Sequence, residues 1–525
     1  MEKKVKLLLL KYIDQIDNKI LFLERGAIFF LILFIPFCFL PINLPIIGQK
    51  LPYLFCLIGY LLWCGELIKK SQPCPYYERY CIIFFFLFIL WNIISSINGA
   101  INFEFYHLID LNQLNNFKNT YLNLSLNNEI LLLQCFFSYS SIRDSFLDSF
   151  FTVGISVFII HVYKYNYRQA IKDIRNAITL LTCLLILYSC IEIGSLCGNE
   201  LCKSFLTTLN PIYMNIAFSN GWWPPLFYQG QVRSLFAEPS FFGIYAAFSI
   251  PFFISKFFSF NIEKKILFFY AFLYMCMVAM TIMTKARTAT GLFIGELILY
   301  IFWFFYFDRK KWKRFFIFMI MTTGAFFMAM TGISHFSTSS DEILQNNRMT
   351  ISTYMNENVT SVIGNHRSNN ARFANVRATF QVGLKHPLLG VGYGLTNGYV
   401  NQNLNSDDLQ NFEVRHWRED MMEKGILKSG FPQLNQLAAV FASKGLGGLL
   451  LFFFPIYIII WKIFIISNKN LKDEEISGVM IAFFGLIGAF FSNIAGIEFY
   501  IVVGILFCVL INNEKEVQHC EIQHD

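Results

Sequence analysis

The chain has 525 residues, 55% of them hydrophobic and only 15% charged, with a mean hydropathy of +0.48. Soluble domains run nearer a quarter charged, so an ordinary soluble enzyme is excluded. The formal net charge of +7 does not mark a nucleic-acid binder, because the basic residues sit in short loops between apolar runs.

Those runs are about 17–22 residues long, the length that crosses a bilayer core. They predict an all-α polytopic membrane protein with about twelve transmembrane helices, at 27–47, 51–68, 80–98, 146–163, 176–196, 236–257, 266–283, 288–307, 315–333, 434–461, 476–492 and 496–512. The first long run has no small-residue cleavage pattern after it, so it reads as a retained span rather than a removable signal. The run 130–140 is apolar but short. It is expected to be interfacial or re-entrant, since counting it as a span would reverse every later loop. The chain thus divides into an N-terminal transmembrane block (1–334), a large, partly helical loop (335–433), and a C-terminal transmembrane block with its tail (434–525).

Charge orients these elements. The alternate loops that begin with the N-terminal tail are rich in Lys and Arg, among them Lys69-Lys70, Lys264-Lys265 and the run from Arg309 to Arg314. The opposite short connections, 42–50, 99–145, 197–235 and 284–287, hold one or two each. Cytoplasmic loops carry the Lys/Arg excess, so both termini are expected in the cytoplasm and the large loop outside. Most of the 13 cysteines lie in or beside apolar runs, where Cys behaves as a small hydrophobe. Cys197 and Cys202, in an outward loop, are the candidates for a disulfide.

The outward face carries the candidate chemistry. Arg233 and Glu238 flank the mouth of the sixth span. Pro239 suits a first helical turn, which places Glu238 near the N-cap, where the helix dipole favours a carboxylate. A capped helix with a local ion pair and a functional pair are both open readings. Lys285 and Arg287 lie in a connection of only a few residues, against the charge rule. Lipid headgroups would stabilise them, and so would a phosphate-bearing substrate, whose oxygens match the guanidinium fork. In the large loop, Arg372 and Arg377 fall on a segment of helical periodicity with an apolar stripe of Phe373, Val376 and Phe380, which would suit a membrane surface. That helix should end at His386-Pro387, before Gly390, Gly392 and Gly394. A lone Gly-x-Gly-x-Gly is a weak phosphate signal, and a lone His is more often structural than catalytic. Glu192, Glu296 and Glu498 fall in or near spans, where ionisable groups are functional candidates by default.

Together these segments resemble the bacterial O-antigen polymerase/ligase superfamily. Arg233 to Ser240 resembles the Arg-x-x-x-x-Glu-Pro-Ser pattern of the polymerases (Wzy-type). Thr284-Lys-Ala-Arg287 resembles a Ser/Thr-x-x-Arg segment before a span. His386 to Gly394 resembles a His-Pro-hydrophobic-Gly-x-Gly run late in the outer loop, and Lys444 to Gly448 the Gly-rich break in the helix that follows. The resemblance implies a metal-independent glycosyltransferase of the bacterial inner membrane, working at its periplasmic face without a soluble cofactor. Its substrates would be oligosaccharides on undecaprenyl pyrophosphate. Membrane lipids and a chain-length regulator would be its partners, and no nucleic acid. Arg287 and Arg233 would steady the leaving pyrophosphate. Arg372, Arg377 and Lys285 would hold the lipid carrier, and Glu238 or His386 would be the general base. Ligases of this superfamily carry a His, usually followed by Asn, just before the helix after the large loop. Here that stretch is Gly430 to Gln436, with no His, which favours a polymerase over a ligase. A lipid-linked oligosaccharide flippase is the competing reading from another class; it would put its charges within the spans.

Overall fold

The computed structural model describes residues 19–69, 76–109, 129–216, 224–259, 262–336, 367–426, 429–466 and 472–522. Among them the protein is all-α and polytopic. Eight helices are long and apolar enough to cross a membrane, and two shorter apolar helices lie at Leu51–Gly65 and Ile497–Asn512.

The first helix, α1 (19–33), stops earlier than expected. Pro36, Pro41 and Pro45 cannot continue it. The rest of the apolar run folds back as a hairpin in which Leu44 and Gly48 pair. After α2 (Leu51–Lys69) and α3 (Tyr76–Ile101), the run 130–140 is neither re-entrant nor separate. It opens α4 (Glu129–Phe150), which a break at Phe151-Thr152 joins to α5 (Val153–Tyr163). The two form one apolar stretch of 34 residues. At 1.5 Å per residue that is roughly 50 Å of helix, more than a hydrocarbon core of about 30 Å requires.

Helices α6 (Tyr167–Leu196) and α7 (Glu200–Tyr213) precede α8 (Pro239–Phe258), which is buried along almost its whole length. Pro251 within it is tolerated because the bundle re-uses its surroundings; the Tyr300 hydroxyl donates to its carbonyl at 2.9 Å. Around α8 pack α9 (Lys264–Met283), α10 (Arg287–Phe307), α11 (Trp312–Ser334), α16 (Glu474–Ala489) and α17 (Ile497–Ile522). Small residues allow the closest approaches: a Cβ on Gly243 would lie 2.4 Å from that of Ala289. At one end of the bundle, short ion pairs tie helices together, Arg25 to Asp173 at 2.6 Å and Arg175 to Glu475 at 2.7 Å.

The other end carries a cap with its own core. Helices α12 (Arg367–Lys385), α13 (Thr396–Gln402) and α14 (Phe412–Lys424) bury Ala371, Ala374, Ala378 and Val382 against Phe103 of the chain after α3 and Leu133 and Phe137 of α4. The buried stripe of α12 is therefore its alanine face. The expected stripe points away: Phe373 and Phe380 are 68% and 46% exposed. Close packing selects the small residues, since a Cβ on Gly383 would meet the Phe441 ring at 2.3 Å.

The cap is locked to the bundle at a break in α15 (Gln436–Ile460). Gly445 there has φ 65° and ψ −166°, a conformation open essentially to glycine alone. The carbonyls freed by the break find new donors. Val391 and Gly392 N–H donate to Ala442 and Ser443, and the Trp91 indole donates to Lys444, each at 2.9 Å. Irregular backbone at membrane depth survives only when protein satisfies it in this way.

Candidate active site

Four chain segments meet under the cap, at the N-termini of α8 and α10. The strap 224–238 enters first. Its Val232 N–H donates to the Met283 carbonyl at 3.1 Å, placing it against the end of α9. Beneath it, the carboxylate of Glu192, from α6, accepts from the backbone N–H groups of Arg233 and Ser234, the latter at 2.8 Å.

Arg233 is 1% exposed. Its guanidinium donates to the carbonyls of Pro225 at 2.8 Å, Leu226 at 2.9 Å and Ala237 at 3.4 Å, and it lies 5.5 Å from the Tyr228 ring centroid. The expected Arg233–Glu238 ion pair is not formed among the described residues. Arg233 instead ties the strap to itself, with Glu192 as its buried counter-charge, and so does not present its charge to a ligand.

Glu238 is the N-cap of α8, yet its side chain makes no capping hydrogen bond. Neither part of the structural alternative, cap or local ion pair, uses its carboxylate. Burial pushes that carboxyl above the ordinary glutamate range. The Ser240 hydroxyl and the charge of Arg372 pull part of the way back. Arg372 stands on the first turns of α12, so the cap brings a cation to the carboxylate. Among the described residues its guanidinium makes no hydrogen bond or ion pair.

Arg287 is the first residue of α10, and its Nη1 donates to Asn369 of α12 at 2.5 Å. The turn before it is tight: Ala286 N–H donates to Thr284 Oγ1 at 3.1 Å, and Lys285 sits at φ 51°. A left-handed Lys costs about 1–2 kcal/mol relative to ordinary backbone. The turn turns the Lys285 ammonium toward the strap, 5.7 Å from the Phe336 ring centroid and 3.4 Å from where a Gly230 Cβ would be. The first turns of α12 thus link the set: Arg372 acts on the Glu238 carboxylate, Asn369, one turn before it, holds Arg287, and Lys285 stands two residues from Arg287.

Two expected residues lie elsewhere. The 19 residues of α12 span roughly 28 Å, and His386 follows its far end from Asn369. It packs edge-on against Tyr399, centroids 5.1 Å apart, so it is not near Arg287 and is no base for that site. Arg377 pairs with Asp408 inside the cap. The three glycines are also not a phosphate loop. All have positive φ, but the N–H groups of Val391 and Gly392 are spent on α15. Cys197 and Cys202 are both free thiols. Sequence reasoning missed Asn369, for which no local signal exists. It also left Glu192 without a partner, though its place in a span had flagged it. Among the described residues no group of three His, Cys, Asp or Glu side chains gathers as a metal site would require.

Comparison with known proteins gives one finding. Residues 272–419 match the O-antigen ligase family, a stretch that begins in α9, carries Lys285, Arg287 and Arg372, and ends in α14. No curated protein and no solved structure matches the chain.

Proposed function

We propose that this chain, which falls in the O-antigen polymerase/ligase superfamily, is a surface-polysaccharide polymerase. In this reading it joins oligosaccharide units carried on undecaprenyl pyrophosphate at the periplasmic face of the bacterial inner membrane. The observation that carries the reading is the meeting of Glu238, Arg287 and Arg372 under one cap, from three segments far apart in sequence.

The chemistry asks for this set. An acceptor hydroxyl oxygen attacks the anomeric carbon of the donor glycan. The bond from that carbon to the pyrophosphate oxygen breaks, and the lipid pyrophosphate leaves with the electron pair. Negative charge grows on the leaving oxygens, where Arg287, Arg372 and Lys285 supply fixed donors that need no rearrangement. The hydroxyl proton goes to Glu238, whose raised proton affinity brings it closer to the working pH. Arg233 and Glu192 act as positioning residues that hold the strap bearing Glu238.

Polymerase is preferred to ligase because the residues leading into α15 offer no imidazole. Asn435 there is used as a helix cap, its side chain accepting from Ala438 N–H at 3.0 Å. The flippase reading is disfavoured because these cations cluster at the end of the bundle rather than along its spans.

Replacing Arg287 by Ala in cells tests this. Removing one preorganised donor of this kind costs about 10²–10³ in rate. The expected result is single-repeat glycan on the lipid A core, with the long ladder lost. Long chains stranded on the carrier would point to a ligase, and an unchanged ladder would sink the site.

A further inference from the structure

A polar cavity of about 450 Å³, with Tyr393 in its wall, opens on the side of the protein that carries the cap. That is within the roughly 300–1,000 Å³ typical of small-ligand sites. Its walls come from the 38–50 hairpin, the start of α2, the end of α4, and Tyr393 of the loop that follows α12. Its place is fixed on two sides. Ser141 of α4 donates to the Tyr393 carbonyl at 2.8 Å. Phe39 stacks on Phe241, 6.0 Å between centroids, in the first turn of the helix that Glu238 caps. One ring contact therefore links the cavity wall to the helix whose N-terminus bears Glu238.

Its lining has a particular chemistry. Tyr53 and Phe151 form a stacked pair, centroids 4.1 Å apart. Asp148 reaches the cavity with its side chain 36% exposed. No hydrogen-bond donor reaches its carboxylate among the described residues, and its nearest cation there is the buried Lys444 at 3.8 Å. Lys444 in turn lies 5.8 Å from the Tyr393 ring centroid. Asp144 is held by Arg143 at 2.8 Å, and Asn43 and Gln49 add amides. A phosphate would meet two carboxylates here. A metal cation would find only two carboxylates, with Lys50 and Lys444 opposing it. An acyl chain would leave Asp148 desolvated with no donor. A neutral ring rich in hydroxyls matches: it donates to carboxylates and lays its C–H face on aromatic rings.

We propose that this cavity binds a sugar ring of the glycan substrate, next to the diphosphate-binding cations and separate from them. The inference rests on the glycosyl-transfer reading for its biological meaning, but its chemistry is tested independently. Asp148 accepts sugar hydroxyls, Tyr53 and Tyr393 flank the ring, and Phe39 leads from this cavity toward Glu238.

The test uses the full-length protein in nanodiscs on an array of bacterial mono- and oligosaccharides that bear neither lipid nor phosphate. The protein should retain a subset of these glycans. Asp148→Asn should lower the retained signal at least tenfold, and so should Asn43→Trp, which fills the cavity without touching the Lys444 pair. Arg287→Ala should bind the array as the unaltered protein does. Retention of no glycan, or retention unaffected by both cavity variants, overturns the sugar site. If Arg287→Ala still makes polymer while Asp148→Asn loses the array signal, the diphosphate reading fails and the sugar site stands.

Discussion

At the scale of single residues, two charges that look alike in sequence have opposite fates. Arg233 and Arg287 each precede a span. Arg233 is enclosed, and both of its Nη groups donate to carbonyls of its own strap. Removing one partner of a buried charge pair costs about 3–5 kcal/mol, because the other is left uncompensated. Arg233→Ala, and also Arg233→Lys, which cannot reproduce the planar fork, should lower the melting temperature of the purified protein and its yield together. Arg287→Ala should spare both and remove activity. A normal melting curve for both Arg233 variants would show that the strap does not depend on it.

Glu238 has the reverse signature. Its folded-state proton affinity is raised by burial, so its contribution to stability is fully present below the unfolded-state pKa and is lost as pH rises through the folded one. Glu238→Gln removes that loss, and near neutral pH it should melt no earlier than the unaltered protein. As the base, Glu238 must be ionised, so polymer synthesis in membrane vesicles should fall on the acid side, at a pH above the ordinary glutamate range. In Glu238→Gln synthesis should be greatly slowed and that acid limb gone. An acid limb unchanged in the variant would assign the base to another group.

At the scale of elements, the broken helix α15 decides how the cap sits. Its break is written as Lys444-Gly-Leu-Gly-Gly448, yet what it does depends on a partner segment more than fifty residues upstream. A Cβ on Gly445 would come 2.2 Å from the Leu388 carbonyl oxygen, in a backbone conformation closed to other residues. Strain and overpacking together put Gly445→Ala at about 2–6 kcal/mol of destabilisation. The cap should detach first, seen as faster amide hydrogen exchange in 386–400 while α8 stays protected. Uniform exchange across both would mean the cap and bundle open as one unit. The His386 to Gly394 run thus has a mechanical role that its glycine spacing alone left open: its free N–H groups repair a helix rather than grip an anion.

For the whole molecule, composition and run length were enough for class. Apolar stretches of bilayer length dictate helices because lipid offers no partner for backbone polar groups. Their charges gave a reading of orientation. Where proline interrupts, as at Pro36, Pro41 and Pro45, the run overstated its helix. Where a helix is longer than a bilayer core requires, as α4 and α5 together are, the run understated it. The grouping of Arg287 with Lys285 was legible because they are neighbours in the chain. Their meeting with Glu238, Asn369 and Arg372 was not, and neither was the separation of His386 or the enclosure of Arg233. Asp148, inside an apolar run, carried the signal of an intramembrane charge, but only the folded hairpin 38–50 makes a cavity around it.

By itself, then, the sequence determined that this protein is helical, embedded in a membrane and furnished with cations at the ends of two adjoining spans, since hydropathy and local charge act over a few helical turns. Only the tertiary structure decided which of those charges face one another, because contacts between α6, α8, α10 and α12 depend on packing that brings together residues up to 180 positions apart, from Glu192 to Arg372.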